Sequence, residues 1–206
     1  MSKTTVPKRF PVQIVLMIAI LVAVMVAGYL MMPRTEEQRL AFVERMGTTN
    51  HGTLLYPVVN LSEAGWRDDQ GQPWSFDESE PRWRMVLPVA EHCDEQCREL
   101  LYVTRQIHVR LGKHADRLER IYVNVGGPLS AEQRAFLDSE HPGIEVVHYD
   151  AADFAGLFAE TNGPWASEAR SYLVDPHGVA MMYHDADLAG GDILKDLNHL
   201  LKLSAH

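Results

Sequence analysis

Hydrophobic and polar positions divide this chain into two unlike parts. Phe10 to Met32 is an uncharged apolar run interrupted only by Pro11, Gln13 and Gly28. As a helix, its 23 residues would reach roughly 34 Å, enough to cross a bilayer core with some tilt. Val26-Ala27-Gly28 could mimic a signal-peptide cleavage site, but the apolar core of a signal typically holds about 7–15 residues. The pattern therefore predicts an uncleaved anchor over residues 10–32. Residues 1–9 form a short N-terminus before it, and residues 33–51 a juxtamembrane stalk whose stretch from Thr35 to Gly47 reads as a mostly polar helix.

From residue 52 to the C-terminus the pattern alternates between strand and helix periods. A β-branched and aromatic run predicts a strand near 53–61, and Trp83 to Val89 predicts a buried one. Cys97, Leu100, Leu101, Thr104, Ile107, His108 and Leu111 fall on one face of a helix over 94–111. A strand from Arg120 ends in glycines. Ser130 and Gln133 then form a capping-box signature for a helix through about Ser139. A strand from Gly143 and a short helix from Ala151 to Thr161 follow. Asp175-Pro176-His177-Gly178 supplies turn chemistry for a hairpin between Ser171–Val174 and Val179–His184. A helix from Asp192 to Leu203 closes the chain. This order predicts a partly parallel sheet covered on both faces. The fold class is α/β, a thioredoxin-like domain over 52–206 behind an N-terminal single transmembrane helix.

Charge sharpens the division. The chain carries 19 basic and 28 acidic residues, a net of −9. Lys3, Lys8 and Arg9 precede the span with no acid beside them, so the rest of the chain holds 16 bases against the 28 acids. Phosphate-driven nucleic-acid binding is thereby disfavoured. The basic N-terminus stays in the cytoplasm under the positive-inside bias. The expected location is a bacterial inner membrane, with the lipid bilayer as first partner and the domain in the periplasm. No G-x-S-x-G, P-loop or H-E-x-x-H motif supports a hydrolase, nucleotidase or metalloprotease.

Cys93 and Cys97 are the only cysteines, spaced as C-D-E-Q-C where a strand runs into a helix. That spacing puts them one helical turn apart on one face. A helix N-terminus offers unpaired N–H groups and a positive dipole end, both of which stabilise a thiolate. Such a pair can exchange disulfides or bind Cu(I). Two other readings stay open. A structural staple closing so short a loop would contribute only about 2 kcal/mol, and two inert buried thiols are the other.

Two motifs carry a family resemblance. Arg82 to Cys97 (RWRMVLPVAEHCDEQC) resembles the lead-in to the C-x3-C of the Sco/SenC proteins, and Ser171 to Gly178 (SYLVDPHG) resembles their Tyr-Leu-Ile-Asp-Pro-x-Gly hairpin. The likeness spans roughly residues 52–203. It implies a thioredoxin-like fold and a part in cytochrome c oxidase biogenesis. The family delivers copper to the dinuclear centre of oxidase subunit II or keeps its cysteines reduced. Cys93 and Cys97 become the copper or redox pair, and subunit II or another copper or thiol assembly factor the partner. The sequence diverges from the family at Arg98, where a proline follows the second cysteine. It diverges again at Ser167, where the third copper ligand would be a histidine. The proline that thioredoxins place before the corresponding strand is also missing ahead of Ser171.

Other side chains are candidate substitutes. His184, at the end of the hairpin, is the candidate third metal ligand, because it could point toward the cysteine face. His92 reads as a loop imidazole beside Cys93, and His177 as a solvated turn residue. Consecutive strand residues face opposite ways, so at most one of Met181 and Met182 looks inward. Trp66, Trp83 and Trp165 read as packing, and Asp68 and Asp69 as part of a solvated loop. Three functions follow: Cu(I) handling through the C-x3-C pair, reduction of copper-site thiols, or non-catalytic docking by a membrane-tethered assembly factor.

Overall fold

Trp83 to Val89 is buried at every position, as a strand covered on both faces must be, and the sheet grows outward from it. The computed structural model describes residues 12–32, 34, 35, 38, 50–76, 81–90, 92–163, 165 and 169–204. The chain forms two units, residues 1–49 and 50–206. In the first, α1 (Val12–Met31) has 20 residues, none of them buried. It is the one helix among the described residues long and apolar enough to cross a membrane. The N-terminus over 1–9 and most of the predicted stalk helix lie outside the described residues.

Among the described residues the second unit holds six strands: β1 (Thr53–Asn60), β2 (Trp83–Val89), β3 (Leu118–Asn124), β4 (Ile144–His148), β5 (Arg170–Val174) and β6 (Val179–Asp185). Their spatial order is β1-β6-β5-β2-β3-β4. β2, β3 and β4 run parallel, each reached through a helix. The hairpin strands β5 and β6, and β1 beyond them, are antiparallel. Four helices cover the sheet: α2 (Glu95–Arg110), α3 (Ala131–Glu140), α4 (Ala151–Phe158) and α5 (Gly190–Leu203).

Alternation along β2 sends side chains into two cores. Met85 and Leu87 join Leu100 and Ile107 of α2 and Ile193 and Leu197 of α5. Val86 joins Ile121, Val123, Phe154, Phe158 and Tyr172 on the opposite face. Each fully buried side chain of this size contributes about 1.5–3 kcal/mol. The predicted capping box is present in both directions, Ser130 accepting from Gln133 N–H and Gln133 accepting from Ser130 N–H. Trp66, Trp83 and Trp165 are all buried, as expected.

Three details differ from expectation. β3 begins at Leu118, because a 3₁₀ turn over Gly112–Arg117 delivers the chain into the sheet early. α4 stops at Phe158, where the Thr161 hydroxyl donates to the Phe158 carbonyl and ends the helix. Met181 and Met182 both pack against the α2/α5 core. A bulge between Leu173 and Val174 of β5 skips Met181 in the pairing, so simple alternation fails there.

β1 is an edge strand, and a single residue occupies part of its free edge. Asn162 accepts from Tyr56 N–H at 2.8 Å, donates to the Leu54 carbonyl at 2.9 Å, and its own N–H donates to the Tyr56 carbonyl at 3.0 Å.

Candidate functional site

The C-terminal end of β2 delivers the two cysteines. Past Val89 the chain turns through exposed His92 and half-buried Cys93, and Asp94 then caps α2. Cys93 and Cys97 form a disulfide with their Cα atoms 5.2 Å apart. Cys97 is only 7% exposed and packs in the core beneath Leu87 and Leu100. Cys93 is the more exposed residue of the two. A cleft of about 380 Å³, counting its open mouth, reaches Cys97 between β2, the start of α2 and Ala169–Arg170. Arg170 is held in its wall by Asp185 at 2.7 Å and by stacking over the Tyr183 ring.

The helix cap changes the electrostatics expected from sequence. The Asp94 carboxylate accepts the Cys97 N–H at 2.9 Å, so a donor that the helix end offers a thiolate is already taken. The carboxylate also sets a negative charge beside the positive end of the helix dipole.

The structure does not bring His184 to the cysteines. Its ring is 1% exposed, does not line the cleft, and faces Asp196 on α5, with Nε2 3.4 Å from Oδ2. Asp196 also accepts the backbone N–H groups of His51 at 3.0 Å and Gly52 at 2.8 Å. Burial pushes the Asp196 carboxyl up. The hydrogen bonds from His184, Gly52 and His51 outweigh that and hold it below the usual range. Among the described residues no three His, Cys, Asp or Glu side chains gather as a metal site. Ser167 lies outside the described residues. His92 adjoins Cys93 and lines the cleft with Cys97, but among the described residues it makes no three-ligand group with the sulfurs.

Sequence reasoning also missed a polar network at Asp69, which is no simple solvated loop residue. His148 Nε2 meets Asp69 Oδ1 at 2.8 Å, Arg134 pairs with the same oxygen, and the Asn124 amide Nδ2 meets His148 Nδ1 at 3.0 Å. Since Nδ1 faces an amide donor, the ring is the Nε2–H tautomer and both nitrogens are engaged. It offers no free base. Asp69 and His148 are 79 positions apart, and no local motif announces their contact.

Residues 83–204 match the profile of a family described as transmembrane-like, thioredoxin-like, C-terminal domain. The chain belongs to that family. The thioredoxin-like domain is similar to apo Sco1 from Thermus thermophilus, with 18% identity over 74% of this chain and 97% of that one, at a TM-score of 0.55. Yeast Sco1 with copper bound gives 13% identity over 78% of this chain and 97% of its own, at 0.55. BsSco, described for its disulfide switch as a member of the Sco family of cytochrome c oxidase assembly proteins, gives 12% identity over 72% and 96%, at 0.53. No curated protein matches the chain. At these identities the likeness is one of fold, and the thioredoxin-like domain is Sco-like in that sense.

Proposed function

We propose that this chain is a periplasmic, membrane-tethered thiol–disulfide exchange protein of cytochrome c oxidase biogenesis. The observation that carries it is a partly exposed Cys93 bonded to a buried Cys97 that lines a cleft, on a Sco-like fold. In the reduced protein the Cys93 thiolate attacks one sulfur of a partner disulfide and releases the first partner thiolate. Cys97 then attacks Cys93 Sγ, forms the intramolecular disulfide and releases the second. Two electrons and the two thiol protons pass to the partner, and an external dithiol reductant restores the pair. The α1 helix supports tethering to the bilayer.

The copper-bound yeast neighbour favours a second reading, in which the reduced pair carries Cu(I) between its thiolates to the oxidase. Non-catalytic docking is the outcome left if the cysteines prove dispensable.

The deciding experiment is a glutathione redox titration of the full chain in lipid nanodiscs, with Cu(I) competition against a chelator run in parallel. A reduction potential well above about −300 mV, the region below which structural disulfides usually lie, supports exchange. A lower potential with tight, one-equivalent Cu(I) binding overturns exchange in favour of cargo. Full oxidase assembly by Cys93→Ser/Cys97→Ser overturns both.

A further inference from the structure

Apolar burial holds α3 more lightly than the other helices of the domain. Leu137 is its one buried residue, where α4 buries two, α5 four and α2 five. Its polar fastenings gather at its C-terminal end. Arg105 of α2 donates to the Glu140 carbonyl at 2.7 Å, and Arg120 of β3 donates to the Pro142 carbonyl at 3.1 Å. His141 ends the helix at only 3% exposure, with the Phe136 ring edge-on to it at 5.0 Å. Arg98 of α2 lies over the same Phe136 ring at 5.2 Å.

The charges at this junction are almost all of one sign. Arg105 and His108 come from α2 and Arg120 from β3, while Glu140, exposed at the end of α3, is the carboxylate that acts on His141. Burial and the Arg105 charge bring the Arg120 guanidinium down to about 10. His108 donates through Nε2 to the Leu118 carbonyl at 3.1 Å. Arg120 Nη1 and His141 Nδ1 are buried without a partner. A neutral imidazole can keep Nδ1 as a bare nitrogen. A protonated one must carry an N–H there with no acceptor, and it sets a further buried cation beside the arginines. Burial first, then the Arg120 and Arg105 charges, hold His141 below the ordinary imidazole range against the opposing pull of Glu140.

We infer that α3 is a proton-operated latch, in which uptake of a proton by His141 drives the helix off α2 and β3 while the central sheet stays folded. The docked state resists that proton, so docking is complete above the ordinary histidine value and lost as pH falls through the lower folded one. With so little apolar surface buried, α3 yields before the sheet does, as a local opening. Arg98 directly follows Cys97, so release of Phe136 carries the acid signal to the helix that bears the disulfide. The latch itself does not depend on the thiol-exchange reading.

The test is hydrogen exchange with mass-spectrometric readout on the full chain in nanodiscs at pH 7.5 and 5.0. Protection factors are compared, so that the chemical pH dependence of amide exchange drops out. Segment 131–140 is expected to lose at least tenfold protection at pH 5.0 and to regain it on return to pH 7.5, while β2 and β3 keep theirs. His141→Gln should abolish the loss, and His108→Gln should leave most of it. Equal protection of 131–140 at both pH values overturns the latch, as does parallel loss in β2 and β3. A loss that survives His141→Gln overturns it too. The wild-type comparison decides even where His141→Gln docks poorly.

Discussion

At the C-terminal end of β2, Cys93 is partly exposed and its partner Cys97 lines a cleft, whereas His184, on β6, meets only protein. Both places hold side chains that sequence nominates for chemistry. At the first, a helix cap and a turn leave one cysteine partly exposed and its partner buried. At the second, Asp196 is saturated by His184 and two backbone N–H groups that fasten the first residues of the domain. Residue type nominates a site. Prior engagement and burial decide whether it is available to another molecule.

That contrast breaks first at Asp196. Asp196→Ala leaves His184, the buried Gly52 N–H and the part-buried His51 N–H without their acceptor. It should cost about 3–5 kcal/mol, as removing one partner of a buried pair does. Urea denaturation measures the loss, and exchange by the folded fraction should remain normal. An effect below about 1 kcal/mol would mean the clasp is not structural. Gly52→Ala comes next, because its Cβ would stand 2.6 Å from the His184 ring and 2.7 Å from Met182 Sδ. Overpacking of this kind costs about 1–3 kcal/mol.

Cys93→Ser/Cys97→Ser sharpens the other side of the comparison. Exchange and Cu(I) binding should vanish, while stability falls by only about 2 kcal/mol, the amount a five-residue loop supports. Equal damage to fold and activity would make the disulfide a staple after all.

Acid gives the gentlest probe. His108 and His141 titrate below 6.5 in the fold, through burial first and then the Arg120 charge. Asp196 is held below 3.8. All three folded forms bind protons less readily than the unfolded chain. Their stability is therefore complete above the unfolded values and lost as pH falls through the folded ones. The urea midpoint should decline below about pH 6.5, the unperturbed His value, and again below about 4. His141→Gln should flatten only the upper limb.

Much of the fold was legible because its signals are local. Ser130 and Gln133 announce a helix start within four residues, and the buried run from Trp83 to Val89 announces a central strand. The cysteine pair was legible for the same reason. Asp94 was read as the first residue of a helix, so its capping oxygen and its claim on Cys97 N–H went unseen. The closing helix was read through its leucines, which hid Asp196 on the same element. Met181 defeats alternation because a bulge depends on the partner strand, and Asp69 with His148 depends on chain segments that meet only after folding. Long-range polar contacts leave no periodic trace.

The Asn162 clasp on β1 bears on solubility. A protein fixed to a bilayer meets its own copies in two dimensions, where an open strand edge would template intermolecular pairing. Asn162 takes the donor and acceptor of Tyr56 and the carbonyl of Leu54, and Pro57 beside them has no N–H to offer. One residue, through its amide side chain and its own N–H, thus occupies the part of the ladder at Leu54 and Tyr56 that a neighbouring strand would otherwise pair with.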